Sequence, residues 1–406
     1  MFKYKKSDFN LDIVFPNKTY GGVYALAPLI IYNLVNNRDN WYCKRVFLDH
    51  GKITAPIVGF TLQYELDLKT VLDIKPKNKI TFAGGPLTYM NPKSISKHFD
   101  FLILGDVEEI LPKVLDEYEK DKEGFLNNIL KIKGVYIHNK SQYFFKEIKD
   151  LNKAPYPLVQ PYPEIDEKYI FGKAFILEIE RGCPFKCKFC PLPNFYNKYQ
   201  FRSLNQIKKI IDEGIGINNP EKIIIYSPSF VHPQRKDILK YLIKKKIRVT
   251  IPSLRAETLD KETLELIKRA GQESLTIAPE AGESLRYKIN KEVKDEAFYK
   301  FIDYCNELKF RKLKLYMLLG LPGATDKDLQ EWITFVKECQ KRFNGKLTLS
   351  VNYFVPKKTT PFAEHKFDKK ELKRQVKIIK KELKFSFKLP SLSSSYKEWL
   401  ISQDLD

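Results

Sequence analysis

Phe175-Ile-Leu-Glu-Ile-Glu180-Arg-Gly-Cys183-Pro-Phe-Lys-Cys187-Lys-Phe-Cys190 is the stretch whose reading decides the fold. Residues 175–180 form a short apolar run of the kind that becomes a buried parallel strand. The three thiols follow at once, spaced C-x3-C-x2-C, on a loop leaving the C-terminal end of that strand. Downstream the pattern alternates. Strands are expected at 222–226, 248–251, 274–278, 312–318 and 347–353. Helices are expected at 204–213, 236–245, 261–270, 294–308 and 326–342. Six βα units predict a partial or complete parallel barrel, whose active site lies over the C-terminal strand ends.

Thiolates are soft ligands suited to iron–sulfur clusters or zinc. A structural zinc needs a fourth protein ligand. The remaining cysteines supply none nearby: Cys305 and Cys339 fall on expected helices far along the chain, and Cys43 stands alone. The histidines are only five, His50, His98, His138, His232 and His365. Three thiolates on a cubic four-iron cluster leave one iron open to a small molecule.

Upstream of the cysteines lies a second α/β pattern. Strands are expected at 11–15, 44–48, 57–61, 80–83 and 101–104, with helices at 22–36, 65–74 and 107–118. Five such strands suggest an open, doubly wound, flavodoxin-like sheet. Residues 135–145 could pair as a hairpin, and Pro155, Pro157, Pro161 and Pro163 then mark a wrapping linker. The expected domains are therefore 1–134, a linker at 135–172, the barrel at 173–353 and a C-terminal extension at 354–406. That extension carries a basic helix at 369–383 and a Ser-rich end.

The chain has 406 residues and a net charge of +21, from 71 Lys+Arg against 50 Asp+Glu. Lysine is dispersed along the chain, a pattern that fits Lys/Glu surface networks of a thermophilic, AT-rich, archaeal-like source. Nucleic-acid binding is therefore not expected. No apolar run approaches the ~18 residues of a membrane span, and no signal peptide is evident. A soluble, cytoplasmic monomer is expected.

The cysteine spacing, with its position after the first strand of a βα barrel, resembles the radical S-adenosylmethionine (SAM) superfamily. The resemblance implies a [4Fe-4S] cluster on Cys183, Cys187 and Cys190. It implies SAM chelated to the open iron and cleaved to a 5′-deoxyadenosyl radical by an electron from a ferredoxin or flavodoxin. Phe189 matches an aromatic packed near the adenine. Glu280, in Ala278-Pro-Glu280-Ala-Gly282-Glu-Ser-Leu-Arg286, matches a ribose ligand, and Arg286 and Arg255 match carboxylate partners of SAM. A carboxylate accepts two hydroxyls well, and a guanidinium meets a carboxylate bidentately. Gly320-Leu-Pro-Gly323 resembles a glycine-containing stretch near adenine, and residues 352–362 resemble the barrel end of cobalamin-type members.

The N-terminal segments look like the cobalamin-binding domain that precedes many such barrels. Thr61, Leu62 and Gln63 end one expected strand, Gly84, Gly85 and Pro86 a second, and Gly105 and Asp106 a third. Ligands of doubly wound sheets bind over such ends. The resemblance departs at the lower cobalt ligand: Asp49-His50-Gly51 lacks the Asp-x-His-x-x-Gly spacing, and His98 and His138 lack its flanking residues. Cobalamin without a histidine lower ligand is expected. The function implied is C-methylation of an unactivated carbon, the methyl passing from SAM through cobalamin. A protein or peptide side chain is the favoured substrate, such as a glutamine of methyl-coenzyme M reductase in a methanogen, with a small molecule as the other option. No residue is expected to serve as a catalytic base. The alternatives are cyclisation or rearrangement without methyl transfer, methylthiotransferase-like modification of tRNA or protein, and a cobalamin or iron–sulfur redox sensor.

Overall fold

The computed structural model describes residues 7–164 and 169–404. They divide into two compact units, the first running to Ile176 with Lys209–Glu221, the second comprising Leu177–Lys208 and the chain from Lys222 onward.

In the first unit, five parallel strands, β1 (Phe9–Val14), β2 (Trp41–Val46), β3 (Ile57–Thr61), β4 (Ile80–Gly84) and β5 (Phe101–Ile103), are joined by a short β6 (Val135–Tyr136). Their order is β2-β1-β3-β4-β5-β6. The first five reproduce the flavodoxin-like order expected of the sequence. The expected hairpin at 135–145 does not form; β6 instead pairs antiparallel with β5, Leu102 opposite Tyr136. The helix expected at 22–36 starts at Leu26 as α1 (Leu26–Asn36), after a single turn at Thr19–Gly22. Pro28 then falls in the first helical turn, where an amide N–H has no intrahelical partner to lose. α2 (Glu65–Ile74) and α3 (Val107–Lys120) complete the crossovers. Leu11, Ile13, Val35, Trp41, Phe82, Phe101, Ile110 and Leu115 form the core of the unit.

The proline-rich segment is pinned by side chains. Asn33 and Val159 exchange two hydrogen bonds, Nδ2 to O at 2.7 Å and N to Oδ1 at 3.1 Å. The Gln160 amide pairs with both backbone groups of Ile176, at 2.7 Å and 3.0 Å. The Tyr162 hydroxyl likewise serves both backbone groups of Ala174, at 2.8 Å and 3.1 Å.

The barrel strands are β7 (Ala174–Glu178), β10 (Lys222–Tyr226), β11 (Arg248–Thr250), β12 (Ser274–Glu280), β13 (Lys312–Leu319) and β14 (Lys346–Tyr353). Two-residue strands β8 (Glu180–Arg181) and β9 (Gln200–Phe201) pair with each other beside the cysteine loop. The hydrogen-bonded orders are β11-β10-β7 and β12-β13-β14-β15, where β15 (Phe387–Lys388) is a parallel addition not expected from the sequence. A bridge between Leu254 and Ile277 links the two sets. The helices are α4 (Leu204–Asn218), α5 (Arg235–Lys244), α6 (Lys261–Arg269), α7 (Glu283–Lys288), α8 (Asp295–Glu307), α9 (Asp326–Arg342), α10 (Lys369–Glu382) and α11 (Leu392–Ser402). α9 begins at a reciprocal cap between Thr325 and Asp328, a local signal strong enough to set the helix start. Among the described residues no helix is long and apolar enough to cross a membrane.

Candidate active site

Past β7 and the two-residue β8 the chain enters Gly182, whose φ of 77° lies in the left-handed region. A Cβ there would approach the Lys198 carbonyl to 2.5 Å, so the turn into the cysteines needs glycine. The loop is then tied down at Lys186, whose carbonyl accepts from Asn290 Nδ2 at 2.6 Å, and at Lys188, whose N–H donates to Ile289 O at 3.0 Å. Cys187 is buried, Cys183 and Cys190 are half-buried, and all three are free thiols. Burial pushes Cys190 up to about 11, with Cys187, Cys183 and Glu280 adding repulsion and the Leu192 N–H opposing it. Burial also raises Cys183, against the Phe185 N–H, Ser229 and Arg255.

This donor set fits a cluster better than a lone ion. Three neighbouring thiols in a partly dry pocket disfavour isolated thiolates, and a bound metal reverses that balance. Three free thiols share this loop; a structural zinc takes four protein ligands, whereas an iron–sulfur cluster gives each of three thiolates its own iron.

Arg255 follows β11 and lies against the loop. Its Nη1 is 3.7 Å from Cys187 Sγ, and its guanidinium carbon sits 3.6 Å from the centre of the Phe185 ring. Glu257 Oε1 holds the other edge, at 2.5 Å from both Nε and Nη2.

Glu280 ends β12 in a strained conformation. Its φ is 70°, unusual for a residue other than glycine, and the register of β12 shifts between Ile277 and Glu280. Burial raises its carboxyl, against the pull of Lys291 and Arg255. Lys291, which the sequence did not single out, lies 3.4 Å from Glu280 Oε1, hydrogen-bonds the Ala278 carbonyl and stands 6.0 Å from the Phe189 ring centre. Phe189 packs against the buried cluster of Ala281, Leu285, Ile289, Leu321 and Phe354. The structure therefore brings Arg255 and Glu280 to the cysteine loop that carries Phe189.

Arg286 has another job. It is fully buried, with Nε on Val293 O at 2.8 Å, Nη1 on Ala281 O at 2.6 Å and Nη2 on Asp295. The Phe298 and Phe335 rings lie 4.9 Å and 5.0 Å from its guanidinium carbon. Three of its five N–H donors are held by the protein and none of the side chain is exposed, so here it serves as a structural tie and not as the carboxylate clamp expected of it. Gly320 is likewise a turn residue: its φ is 77° and its carbonyl meets His365 Nε2 at 3.0 Å.

Beneath the loop lies a polar network that sequence reasoning missed. Glu178, buried, takes a two-point contact from Arg181, at 2.8 Å and 2.9 Å, and one from Arg202 at 3.4 Å. Glu180 accepts from the Tyr199 hydroxyl at 2.5 Å and from Ser227, and Ser229 Oγ lies 3.9 Å from Cys183 Sγ. The motif Glu178-Ile-Glu180-Arg181 immediately before the cysteines was the available signal.

In the first unit the three strand ends expected to bind a ligand are neighbours, because β3, β4 and β5 are adjacent. Their chemistry is mostly turned inward. Leu62 is buried, its N–H on Gly84 O at 2.8 Å, and Thr61 Oγ1 donates to Val14 O at 3.3 Å. Gly85 (φ 109°) is required because a Cβ would lie 2.6 Å from Leu62 O, and Gly105 (φ 129°) because one would lie 2.2 Å from Lys146 O. Asp106 accepts from the Ile148 N–H at 2.6 Å. Gly84 differs: a Cβ there would meet nothing nearer than Ile103 O at 3.7 Å. Gln63 is half-buried and Pro86 exposed.

Residues 177–336 match the family model "Radical SAM superfamily", and residues 53–138 match "Radical SAM proteins, N-terminal". The chain is 32% identical over 390 residues to the uncharacterized protein MJ0966 of Methanocaldococcus jannaschii, covering 92% of this chain and 83% of that one. It is 24% identical over 253 residues to the anaerobic magnesium-protoporphyrin IX monomethyl ester cyclase of Cereibacter sphaeroides, covering 56% of this chain and 39% of the cyclase. Among solved structures, the radical S-adenosylmethionine methyltransferase TsrM of Kitasatospora setae superposes with a TM-score of 0.63 at 13% identity, covering 85% of this chain and 73% of that one. The likeness to TsrM is one of fold.

Proposed function

This chain belongs to the radical SAM superfamily, and from that premise we propose that it is a cobalamin-dependent C-methyltransferase acting on an unactivated carbon, with a protein side chain as substrate. The observation that carries the reading is the pairing in one chain of a flavodoxin-ordered sheet with a barrel whose first strand opens into three free cysteines. TsrM, a methyltransferase, shares this fold over most of the chain.

When bound, the cluster and SAM supply a carbon radical that removes a substrate hydrogen atom, and cobalamin supplies the methyl group. Cys183, Cys187 and Cys190 would hold the cluster. Phe189, in its apolar bed, offers a flat surface for the adenine. Glu280, fixed by its backbone and by Lys291, offers an acceptor for ribose hydroxyls, and its burial keeps water from competing for them. Gln63, Gly84 and Pro86 would form the floor under cobalamin, with Gly84 leaving room for a planar ligand to approach the backbone. No side chain is required to move a proton; positioning and exclusion of water are the protein's contribution. The surplus of positive charge suits an acidic ferredoxin or flavodoxin as electron donor.

The likeness to the cyclase favours a second reading, radical ring closure without methyl transfer. One experiment separates them. The anaerobically reconstituted protein is given cobalamin, methyl-labelled SAM, reductant and cell extract, and products are read by mass spectrometry. Label in a peptide supports the proposal. 5′-Deoxyadenosine without transferred label supports the cyclase-like reading. Absence of both overturns the two readings together.

A further inference from the structure

We infer that Arg255 is a positioning residue that tunes the reduction potential of the cluster by donating a hydrogen bond to Cys187. The inference rests on the reading of the cysteine loop as the cluster site and goes beyond the carboxylate-binding role expected for this residue.

Three contacts fix the guanidinium. Glu257 Oε1 takes the Nε and Nη2 edge at 2.5 Å. The plane lies against Phe185, between Cys183 and Cys187, at 3.6 Å. Nη1 remains directed at Cys187 Sγ, 3.7 Å away. Cys187 is the most buried of the three thiols, and the Arg255 side chain is only 13% exposed. The donor is thus held along one edge by Glu257 and across one face by Phe185. Arginine suits the task because its planar fork can satisfy a carboxylate on one edge and still present a donor on the other.

The physical consequence follows from charge. Reduction adds an electron to a cluster that already carries thiolate charge, and hydrogen bonds to the sulfurs are among the factors that set cluster potentials. A fixed positive donor stabilises the more negative, reduced state and raises the potential. Glu257 partly offsets the charge, so the directed N–H to sulfur matters as well as the net charge.

The test is a potentiometric titration of the reconstituted full-length chain, followed by spin resonance, for wild type, Arg255→Gln, Arg255→Lys and Glu257→Gln. Iron and sulfide are assayed in each. Arg255→Gln is expected to keep its iron and sulfide and to weaken the one-electron reduction equilibrium about tenfold, a shift of about 59 mV to more negative potential. Arg255→Lys, a charge without the fork, is expected to fall between. Glu257→Gln, which keeps the donor and removes an opposing charge, is expected to shift the potential upward. Equal potentials in loaded wild type, Arg255→Gln and Glu257→Gln would overturn the inference while leaving the cluster site intact. If Arg255→Gln does not fold, the opposite shifts of Arg255→Lys and Glu257→Gln carry the test. A wild-type chain that takes up no iron or sulfide would overturn the reading of the site itself.

Discussion

Both units end parallel strands in loops at their C-terminal edges, but the contents of those loops are opposite. Over β3, β4 and β5, the polar groups and glycines mainly let one chain segment approach another: Gly85 admits the Leu62 carbonyl, Gly105 the Lys146 carbonyl, and Asp106 holds Ile148. Over β7, β11 and β12, thiols, a guanidinium and a strained carboxylate are gathered and oriented by neighbours. A site that binds a large cofactor through shape can be lined by backbone. One that performs radical chemistry needs reactive side chains held in place.

The contrast can be broken at several points. The largest expected effect is Cys187→Ala, which should abolish iron incorporation and SAM cleavage outright, measured by iron assay and 5′-deoxyadenosine formation. Arg286→Met should instead weaken the fold by about 3 kcal/mol, because it strands Asp295 and two carbonyls beside an apolar cluster; denaturant unfolding would show it. An unchanged unfolding midpoint with weakened SAM binding would restore the ligand role. Gly105→Ala should cost about 2 kcal/mol or more, since both its φ and the Lys146 carbonyl oppose a side chain. Gly84→Ala makes the complementary case: stability should change by no more than about 0.5 kcal/mol, while cobalamin retention falls, read by absorbance after gel filtration.

Acid titration sharpens the same contrast more gently. Burial pushes the Glu178 carboxyl up, but Arg181 and Arg202 together bring it below its ordinary range. The lowered group stabilises the fold above the unfolded value of about 4.3 and loses that contribution as pH falls through the folded value. Unfolding midpoints at pH 6 and pH 3.5 should therefore differ less in Glu178→Gln than in wild type.

Much of the fold was legible in the sequence because its signals are local. The helical pattern at 326–342 matches α9 (Asp326–Arg342) at both ends, and the thiols announce themselves by spacing. The second half of the site was not legible, because folding and not local spacing brings its partners together. Arg255 meets a thiol 68 positions away. Lys291 meets Glu280 from 11 positions on, past the α7 turn. Arg286, matched by resemblance to a carboxylate partner of SAM, is instead engaged by Asp295, nine positions on. The hairpin expected at 135–145 is replaced by antiparallel pairing of Val135 and Tyr136 with β5, a partner more than 30 positions upstream.

The side-chain clamp on Ala174 and Ile176 has a consequence for the molecule in a crowded solution. β7 ends the order β11-β10-β7, and a strand in that position presents bare amides to any passing chain. Tyr162 and Gln160 occupy those amides and carbonyls at alternate residues, as an added strand would, while Pro161 between them cannot extend a ladder. The proline-rich segment is thus a terminator of sheet growth, keeping the strand that carries the cysteines from templating assembly with another copy.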